Sequence, residues 1–273
     1  MNEVYSAIGT TKQNIHQRLD RYMQQQEEQA YLLKIIHEAR ADHPQMGADS
    51  LYKMLKPAFI GRDRFRRWYN EAGLTLHQEK NFKRTTDSSG VIRFPNLLPA
   101  LELTTPNQAW VSDITYYEIN AKWYYLTFIM DLYSRLIKGF SASHTLMTID
   151  TTIPALQMAL RGWNKSVSSN LILHSDGGGQ YYCKDFLDIT KNYGISNSMC
   201  ESVFENPHAE RINGTIKNSY LKHYNPQSYP QLEKLLAKAV YMYNHQKPHT
   251  ALGGLSPVEF ERQLMLNPQI HSY

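Results

Sequence analysis

The stretch AWVSDITYYEI, residues 109–119, decides the fold class, because it alternates in polarity as a β-strand does and yet carries an acid near its middle. The two-residue period of a strand places Val111, Asp113 and Thr115 on one face. Aspartate is depleted from strands, since a buried carboxylate is costly unless it is paired or bound to a metal ion. This segment therefore predicts a strand in which Asp113 has a functional use.

A second acid, Asp176, follows the short apolar run at residues 171–175 and is followed at once by three glycines, residues 177–179. This order predicts that the carboxylate lies at the C-terminal end of a strand, which is the edge at which open sheets bind ligands. Taken alone, an aspartate in this position could equally be an ordinary turn residue.

A third acid, Glu210, lies in ENPHAERINGTIK, residues 205–217, which has the pattern of a helix start. Asn206 can act as the N-cap and Pro207 fits the first helical position, so Glu210 falls in the first turn. Taken alone, this glutamate would be a partner of the positive end of the helix dipole.

Together the three acids indicate a phosphoryl-transfer site. Two strand acids and one helix acid that face one cleft can hold two divalent cations about 4 Å apart. Hard oxygen ligands of this kind suit Mg²⁺ or Mn²⁺. In such a site one ion activates a water or a DNA 3′-hydroxyl, while the other stabilises the departing oxygen, so that no side-chain nucleophile is needed.

The flanking motifs resemble those of the DDE transposases of the insertion-sequence-three family, whose catalytic core looks like retroviral integrase. The resemblance extends from about residue 5 to about residue 262, and five motifs carry it: NQAWVSDITYY, MDLYSRLIKGF, LILHSDGGGQYYC, ENPHAER and YNHQKPHTALGGLSPVEFE. It implies a ribonuclease-H-like α/β fold, a mixed five-stranded sheet flanked by helices, with Asp113, Asp176 and Glu210 as the metal-binding triad. One departure is Glu205-Asn206, where the family usually carries Asp-Asn.

Further residues near the triad are candidates for contacts with DNA. Lys217 lies two turns after Glu210, where a cation would meet phosphate; by itself it would be a solvated lysine, and the resemblance favours the DNA role. Arg211 lies about 100° round the helix from the glutamate. His174 could contact the metal shell or the scissile phosphate, or could be an ordinary core histidine. Asp131 is a predicted turn residue outside the triad.

The loop KPHTALGG contributes two more basic candidates, Lys247 and His249, which the resemblance implies lie near bound DNA. Residue patterns alone identify this stretch only as a loop. Ser256 and Glu259 form a predicted capping box that opens the last helix.

The segment GRDRFRRWYNEAG, residues 61–73, predicts a helix that carries a cluster of arginines and ends near Gly73. Such a cluster suggests a helix lying against DNA phosphates. With the preceding predicted helix in residues 43–57 it resembles the helix-turn-helix that precedes the core in this family, although an ordinary charged helical hairpin fits the pattern too. The arginines are Arg62, Arg64, Arg66 and Arg67.

Upstream of this hairpin, residues 3–8 and 12–22 make another helix-turn-helix candidate, with Thr11 as N-cap. A Gln- and Glu-rich helix at residues 24–40 would connect the two units. The whole chain then divides into five predicted parts: a first helix-turn-helix with its connecting helix (1–40), a second such unit (41–75), a linker (76–106), the catalytic core (107–225) and C-terminal helices (226–273).

Composition narrows the function classes. The net charge of the 273 residues is only +4, which permits nucleic-acid binding without indicating it. The two cysteines lack zinc-ligand spacing, and no apolar stretch approaches the roughly 20 residues needed to span a bilayer. A nucleotide-binding loop of the Gly-rich Lys-Ser/Thr type is absent from the sequence. We expect a cytoplasmic bacterial protein, associated with the nucleoid.

The sequence thus predicts a DNA transposase that hydrolyses element ends and joins the 3′-hydroxyls to target DNA, using two Mg²⁺ or Mn²⁺ ions. Its expected partners are double-stranded DNA, both terminal inverted repeats and target, and further copies of the chain. The resemblance is to the downstream reading frame of such elements, so fusion with or help from an upstream-frame protein is expected. Two alternatives stay open: a ribonuclease-H-like nuclease or resolvase, and a non-catalytic DNA-binding regulator.

Overall fold

A computed structural model describes residues 10–76, 94–163, 170–200 and 206–266. The chain divides into two compact units, Met1–Leu76 and His77–Tyr273. The finer division into five parts stays a prediction. Within the described residues, no helix is both long enough and apolar enough to cross a membrane.

The N-terminal unit is built from three helices: α1 (Lys12–Asp42), α2 (Ala48–Leu55) and α3 (Arg62–Glu71). Thr11 is the N-cap of α1, as predicted, because its Oγ1 accepts a hydrogen bond from the Asn14 N–H at 3.1 Å. The predicted break between residues 22 and 24 is wrong, since α1 runs through it as one continuous helix. The upstream half of the first predicted helix-turn-helix, residues 3–8, lies outside the described residues.

Apolar side chains from all three helices close the core of this unit. Leu32 and Ile36 of α1 are buried with Leu51 of α2 and with Phe65 and Tyr69 of α3. Burial stabilises by roughly 1.5–3 kcal/mol per large apolar side chain, which allows these three helices to pack around one core. The predicted end of the arginine-rich helix near Gly73 is confirmed, because that glycine has a φ of 68° just after α3.

The second unit contains a five-stranded mixed sheet. Its strands are β1 (Ala109–Ile119), β2 (Lys122–Asp131), β3 (Ile137–Ser143), β4 (Ile172–Ser175) and β5 (Ser196–Met199). The spatial order is β3-β2-β1-β4-β5. Neighbours β1–β2 and β2–β3 are antiparallel, whereas β1–β4 and β4–β5 are parallel. The predicted fold class, a mixed five-stranded sheet flanked by helices, is confirmed.

Helices lie against both faces of the sheet. They are α4 (Thr152–Arg161), α5 (Lys184–Tyr193), α6 (Pro207–Gly214), α7 (Tyr229–His245) and α8 (Pro257–Leu266). A π-helical turn, Thr215–Leu221, and a short α-helical segment, Lys222–Tyr224, continue α6. Short 3₁₀ turns occur at Gly179–Tyr181 and Thr250–Leu252.

The second unit has two apolar cores, one on each face of the sheet, because the side chains of β1 point alternately to the two faces. Val111 joins the cluster that includes Ile212 and Ile216 of the α6 segment and Leu236 of α7, while its neighbour Trp110 joins the cluster that includes Leu156 of α4. Successive strand residues point to opposite faces, so each face receives its own apolar set. The central strand β1 therefore lies between two helical layers, and this fixes the positions of its polar residues.

The capping box at the start of α8 is confirmed. The Ser256 N–H donates to the Glu259 carboxylate at 3.1 Å, and the Glu259 N–H donates to the Ser256 hydroxyl at 3.3 Å. Further along α8, Glu261 forms a salt bridge of 3.2 Å with Lys138 of β3. This ion pair fastens the last helix to the edge strand of the sheet.

Asp131 is a structural turn residue, as the sequence predicts. It is fully buried at the end of β2. Its carboxylate accepts hydrogen bonds from the backbone N–H groups of Asn107 (2.6 Å), Tyr133 (2.9 Å) and Ser134 (2.8 Å). Burial still raises the pKa of this carboxyl above its ordinary value, with the backbone donors acting in the opposite direction.

Replacing Asp131 with alanine is expected to lower the free energy of unfolding by about 3 kcal/mol, because one buried and two half-buried N–H groups lose their acceptor. Urea denaturation of the full chain measures this loss. Asp188→Ala, at an exposed position of α5, is the control and should change stability by less than about 0.5 kcal/mol. Equal stability of the two variants would contradict the role assigned to Asp131.

Candidate catalytic site

Asp113 lies in β1, and its carboxylate contacts α6, the helix that carries Glu210. Its Oδ2 accepts a hydrogen bond from Asn213 Nδ2 at 2.6 Å, and its Oδ1 accepts from the Ile114 N–H at 2.9 Å. Burial, followed by the charges of Asp176 and Glu210, raises the pKa of Asp113 to about 8. The charges of the two other predicted acids therefore both act on Asp113.

Asp176 comes directly after β4, as predicted. The parallel register pairs Ser175 with Ser112, so the residues that follow them, Asp176 and Asp113, lie side by side at this edge of the sheet. Asp176 Oδ1 accepts from the Gly178 N–H at 3.1 Å. A Cβ atom on Gly178 would stand only 3.0 Å from that oxygen, so the glycine leaves room for the carboxylate. Burial raises the pKa of Asp176.

Glu210 lies in the first turn of α6, after Pro207, as predicted. Asn206 does occupy the N-cap position, but its side chain makes no hydrogen bond to the helix. Its Nδ2 instead donates to the backbone oxygen of Ser112 at 3.2 Å, which ties the start of α6 to β1 beside Asp113. The Glu210 side chain is exposed, and its charge contributes to the raised pKa of Asp113.

The chemistry of these donors fits a hard divalent cation. In the described parts of the chain, no three His, Cys, Asp or Glu side chains are grouped closely enough to enclose a metal ion. Burial, together with repulsion by Asp176 and Glu210, raises the pKa of Asp113, and a bound cation would offset both effects; the three predicted ligands are all carboxylates. The shared two-ion site therefore stays a prediction.

Lys217 lies on the π-helical turn that continues α6. Its Nζ donates to Thr115 Oγ1 at 2.8 Å and to the Tyr116 backbone oxygen at 3.0 Å. Burial lowers the pKa of this lysine, and the charge of Asp113 opposes that shift. An ammonium group has three donors, and the contacts between described residues use two of them, so the predicted contact of Lys217 with a phosphate stays a prediction.

His174 is fully buried within β4. Its Nδ1 lies 2.9 Å from Ser198 Oγ of β5, the residue opposite it in the parallel register. The ring thus lies buried against the neighbouring strand β5. This favours the interpretation of His174 as an ordinary core histidine over one in which it contacts a metal ion or a phosphate.

Two residues that support the site were not found from the sequence. Asn213 holds the Asp113 carboxylate, and Tyr181 places its hydroxyl 2.8 Å from Ser112 Oγ, directly before Asp113. Complete burial, with the charges of both aspartates, raises the pKa of Tyr181 well above its ordinary value, so it stays protonated. A signal for Asn213 existed, since it lies three positions after Glu210 and interrupts the apolar stripe of the helix.

Comparisons with known proteins show the family of this chain. The family described as integrase core domain matches residues 104–202, and a second family of the same description matches residues 194–257. The chain is 34% identical over 209 residues to the uncharacterized 31 kDa protein of insertion element IS600 from Shigella sonnei, across 75% of this chain and 76% of that protein. It is 33% identical over 175 residues to transposase InsF for insertion sequence IS3A from Escherichia coli (strain K12), across 58% of this chain and 55% of that relative.

The chain belongs to the insertion-sequence-three family of transposases. Among solved structures, similarity extends to the HTLV-2 integrase catalytic core domain in complex with magnesium, at 22% identity and a TM-score of 0.46, over 57% of this chain and 97% of that one. The catalytic core domain of BIV integrase is similar at 20% identity and a TM-score of 0.45, over 59% and 98% of the two chains.

The remaining predicted DNA contacts of this transposase lie in both units. The four arginines of α3 are all exposed, while Phe65 and Tyr69 of the same helix point inward. Arg66 forms an ion pair with Asp49 of α2, and Arg62 forms one with Asp63 at 3.0 Å. The hairpin therefore presents an arginine-bearing surface, and its binding to DNA stays a prediction.

In the core unit, Arg211 is exposed on α6, whereas Lys247 and His249 are half-buried after α7. Burial lowers the pKa of Lys247. Burial, with the charges of Lys247 and Arg135, lowers the pKa of His249 to about 3. The loop predicted at KPHTALGG is therefore packed against the core, with a 3₁₀ turn at Thr250–Leu252.

Proposed function

We propose that this transposase cuts DNA strands and joins 3′-hydroxyl ends, with Asp113, Asp176 and Glu210 as ligands of two Mg²⁺ or Mn²⁺ ions. The observation that carries the proposal is the parallel register that sets Asp113 beside Asp176 at the C-terminal edge of β4. Burial there, with the charges of Asp176 and Glu210, raises the pKa of Asp113, as is common at functional sites. Bound there, the cations would activate the attacking hydroxyl and stabilise the departing oxygen.

The surrounding residues support this role by position. Asn213 fixes the rotamer of Asp113 through its 2.6 Å hydrogen bond, and Asn206 anchors the start of α6 so that Glu210 stays near the two aspartates. Lys217 holds a positive charge beside Thr115, two residues along β1 from Asp113. A phosphodiester would thus be bound between acids that bind cations and a lysine that donates directly to its oxygens.

The substrate class follows from the family. Relatives at 33–34% identity are proteins of insertion elements, so we propose that the DNA substrates are the two terminal inverted repeats of an element and a target duplex. Joining two ends requires that they be held together, which favours a homo-oligomer on DNA. The matched segment covers 55% of the length of transposase InsF. Because the sequence resembles the downstream reading frame of such elements, we further propose that an upstream-frame protein, fused or separate, assists in recognising the ends.

Metal-dependent activity tests the proposal. We expect the full chain, given duplexes that carry the DNA flanking its own coding region, to produce nicks with free 3′-hydroxyls and joined products when Mg²⁺ or Mn²⁺ is present. Removal of the metal with EDTA should abolish both products, and Asp176→Asn should do so with metal present, by a factor of about 10³. Sequencing gels resolve the products.

The alternatives give different results in the same assay. Cleavage without any joined product would indicate a nuclease or resolvase. DNA binding with no metal-dependent cleavage, for this chain and for a version fused to the upstream frame, would indicate a regulator. Joining at an unchanged rate in Asp176→Asn would contradict the assigned ligands.

A further inference from the structure

Five basic side chains gather beside α6, on a side of the helix other than that of Glu210. We call them the basic cluster: Arg135 of the β2–β3 turn, His208 and Arg211 of α6, and Lys247 and His249 after α7. Arg135 Nη1 lies 2.8 Å from His208 Nδ1, so the turn and the helix are in direct contact. Arg211 lies about 100° round the helix from Glu210. The predicted metal ligand and the basic cluster therefore lie on adjacent sides of the same turn of α6.

The ring of Tyr243 connects the members of the basic cluster. The His249 ring stacks edge-on against it with 4.7 Å between centroids, and Lys247 Nζ lies 5.9 Å from the centre of the ring. Arg135 and Arg211 are both close enough for their charges to act on the Tyr243 hydroxyl. Three cations and two histidines from parts of the chain far apart in sequence therefore share one site.

Within the described residues, the cations of the basic cluster have no salt-bridge partner. None of the ion pairs found between described residues includes Arg135, Arg211 or Lys247. Asp131 does attract Arg135, but its oxygens already accept three backbone N–H groups. Arg211 repels Arg135, and burial disfavours the charge on both Arg135 and Lys247.

Half-buried cations such as Arg135 and Lys247 are unfavourable unless an anion completes the site, and Arg135 is in addition repelled by the exposed Arg211. His249 adds a polar atom to the same place, because its buried Nε2 has no hydrogen-bond partner within the described residues. Arginine offers a planar fork of donors and lysine a point charge, a combination that fits the tetrahedral oxygens of a phosphate.

We propose that the basic cluster binds a phosphodiester of the DNA substrate, distinct from the phosphodiester that is cut at the three acids. This inference rests on the proposed function for the identity of the ligand. The three acids repel the DNA backbone. A second phosphate bound by the basic cluster, on the neighbouring side of α6, compensates that repulsion. It also fixes the direction in which the DNA strand crosses α6. The cluster thereby positions the strand and takes no part in bond breaking.

The test is the salt dependence of DNA binding by the full chain, measured by fluorescence anisotropy on a short labelled duplex in EDTA, where no cleavage occurs. We expect Arg135→Gln and Lys247→Gln each to weaken binding roughly tenfold at about 50 mM salt, and to lower the slope of log affinity against log salt by about 1. Lys234→Gln is the matched control, because Lys234 is exposed on α7 outside the basic cluster.

Thermal denaturation of the same variants separates binding from folding. A binding role predicts that Arg135→Gln melts at the wild-type temperature or above it, since one repelled cation is gone. If Arg135→Gln does not fold, Arg211→Ala at an exposed position takes its place and should show the same loss in affinity and slope. Unchanged DNA binding in Arg211→Ala and Lys247→Gln, or a lower melting temperature with unchanged binding, overturns the proposal.

The outcome is independent of the catalytic assignment. Should the wild-type chain cut no DNA in Mg²⁺ or Mn²⁺ while Arg135→Gln and Lys247→Gln still lose affinity, the proposed function fails and the phosphate site stands. Should the wild-type chain cut and join DNA while these variants bind as the Lys234→Gln control does, the phosphate site fails alone.

Discussion

Replacing Asp113 with asparagine is expected to abolish DNA cleavage and strand transfer, by a factor of about 10³ or more, while DNA affinity in EDTA stays at the wild-type value. The carboxylate is central to the site, since it lies beside Asp176 and is acted on by the charge of Glu210. An amide of the same shape keeps the packing and loses the negative charge that a cation requires. The cutting and joining assay and anisotropy measure the two quantities.

The same substitution should make the protein more stable. The pKa of Asp113 rises from an ordinary value of 3.8 to about 8 in the folded chain, so folding disfavours its ionised form. The stability lost to this effect is zero below pH 3.8, grows as the pH rises and reaches its full size above pH 8. We expect Asp113→Asn to raise the free energy of unfolding at pH 9 by about 2 kcal/mol, and by much less at pH 5.

The local hydrogen bonds can adapt to the new amide. Asn213 Nδ2 now donates to Asp113 Oδ2, and the Oδ1 of Asn213 has no partner within the described residues. An asparagine at position 113 could donate to that oxygen after a rotation of the Asn213 amide, which keeps one hydrogen bond between the two side chains. The rotation moves the Asn213 Nδ2 to the side where Oδ1 now has no partner, and this unpaired donor keeps the expected gain in stability at about 2 kcal/mol.

Asp188→Asn is the control, because Asp188 is exposed on α5 away from the three acids. It should leave cutting, joining and unfolding unchanged at both pH values. Lower stability of Asp113→Asn at pH 9 would contradict the electrostatic account, and wild-type joining by this variant would remove Asp113 from the site. Mg²⁺ should stabilise the wild-type chain at pH 9 and have little effect on Asp113→Asn, since binding to the folded state alone shifts unfolding.

The sequence predicted the placement of the three acids because each lies within a strong local signal. Alternation set Asp113 in a strand, a glycine run set Asp176 at a strand end, and Pro207 set Glu210 in a first turn. Local signals also predicted the caps at Thr11 and Ser256. All of these predictions depend on interactions between residues at most four positions apart in the sequence.

Contacts between distant segments could not be predicted in this way. Arg135, Arg211 and Lys247 meet only because the β2–β3 turn, α6 and the end of α7 converge, and nothing in the local pattern of any one of them indicates the other two. The continuous helix α1 was missed for a different reason. Its Gln- and Glu-rich middle has good helix propensity and no breaker, so the break predicted there had no residue to cause it.

Gly139→Ala is expected to have the largest effect on folding, with a loss of about 3 kcal/mol or more and partition into the insoluble fraction on expression. Gly139 lies in β3 where the strand packs against α4. A Cβ atom there would stand 2.0 Å from the backbone oxygen of Ala155 and 2.9 Å from the backbone nitrogen of Ala159. Backbone atoms in a helix cannot rotate away as a side chain can, so strand and helix would have to separate.

Gly162→Ala is the matched control, because the added methyl group meets no atom within 4 Å and the residue has a φ of −91° that alanine also adopts. Its stability should equal that of the wild type or exceed it slightly, since alanine restricts the unfolded chain more than glycine. Urea denaturation of both variants compares the same substitution at Gly139, where the methyl group meets the backbone of α4, and at Gly162, just after the end of α4. Wild-type stability of Gly139→Ala would mean that α4 does not lie on β3, and the face of the sheet opposite α6 would then lack the layer that buries Trp110 and Ile129.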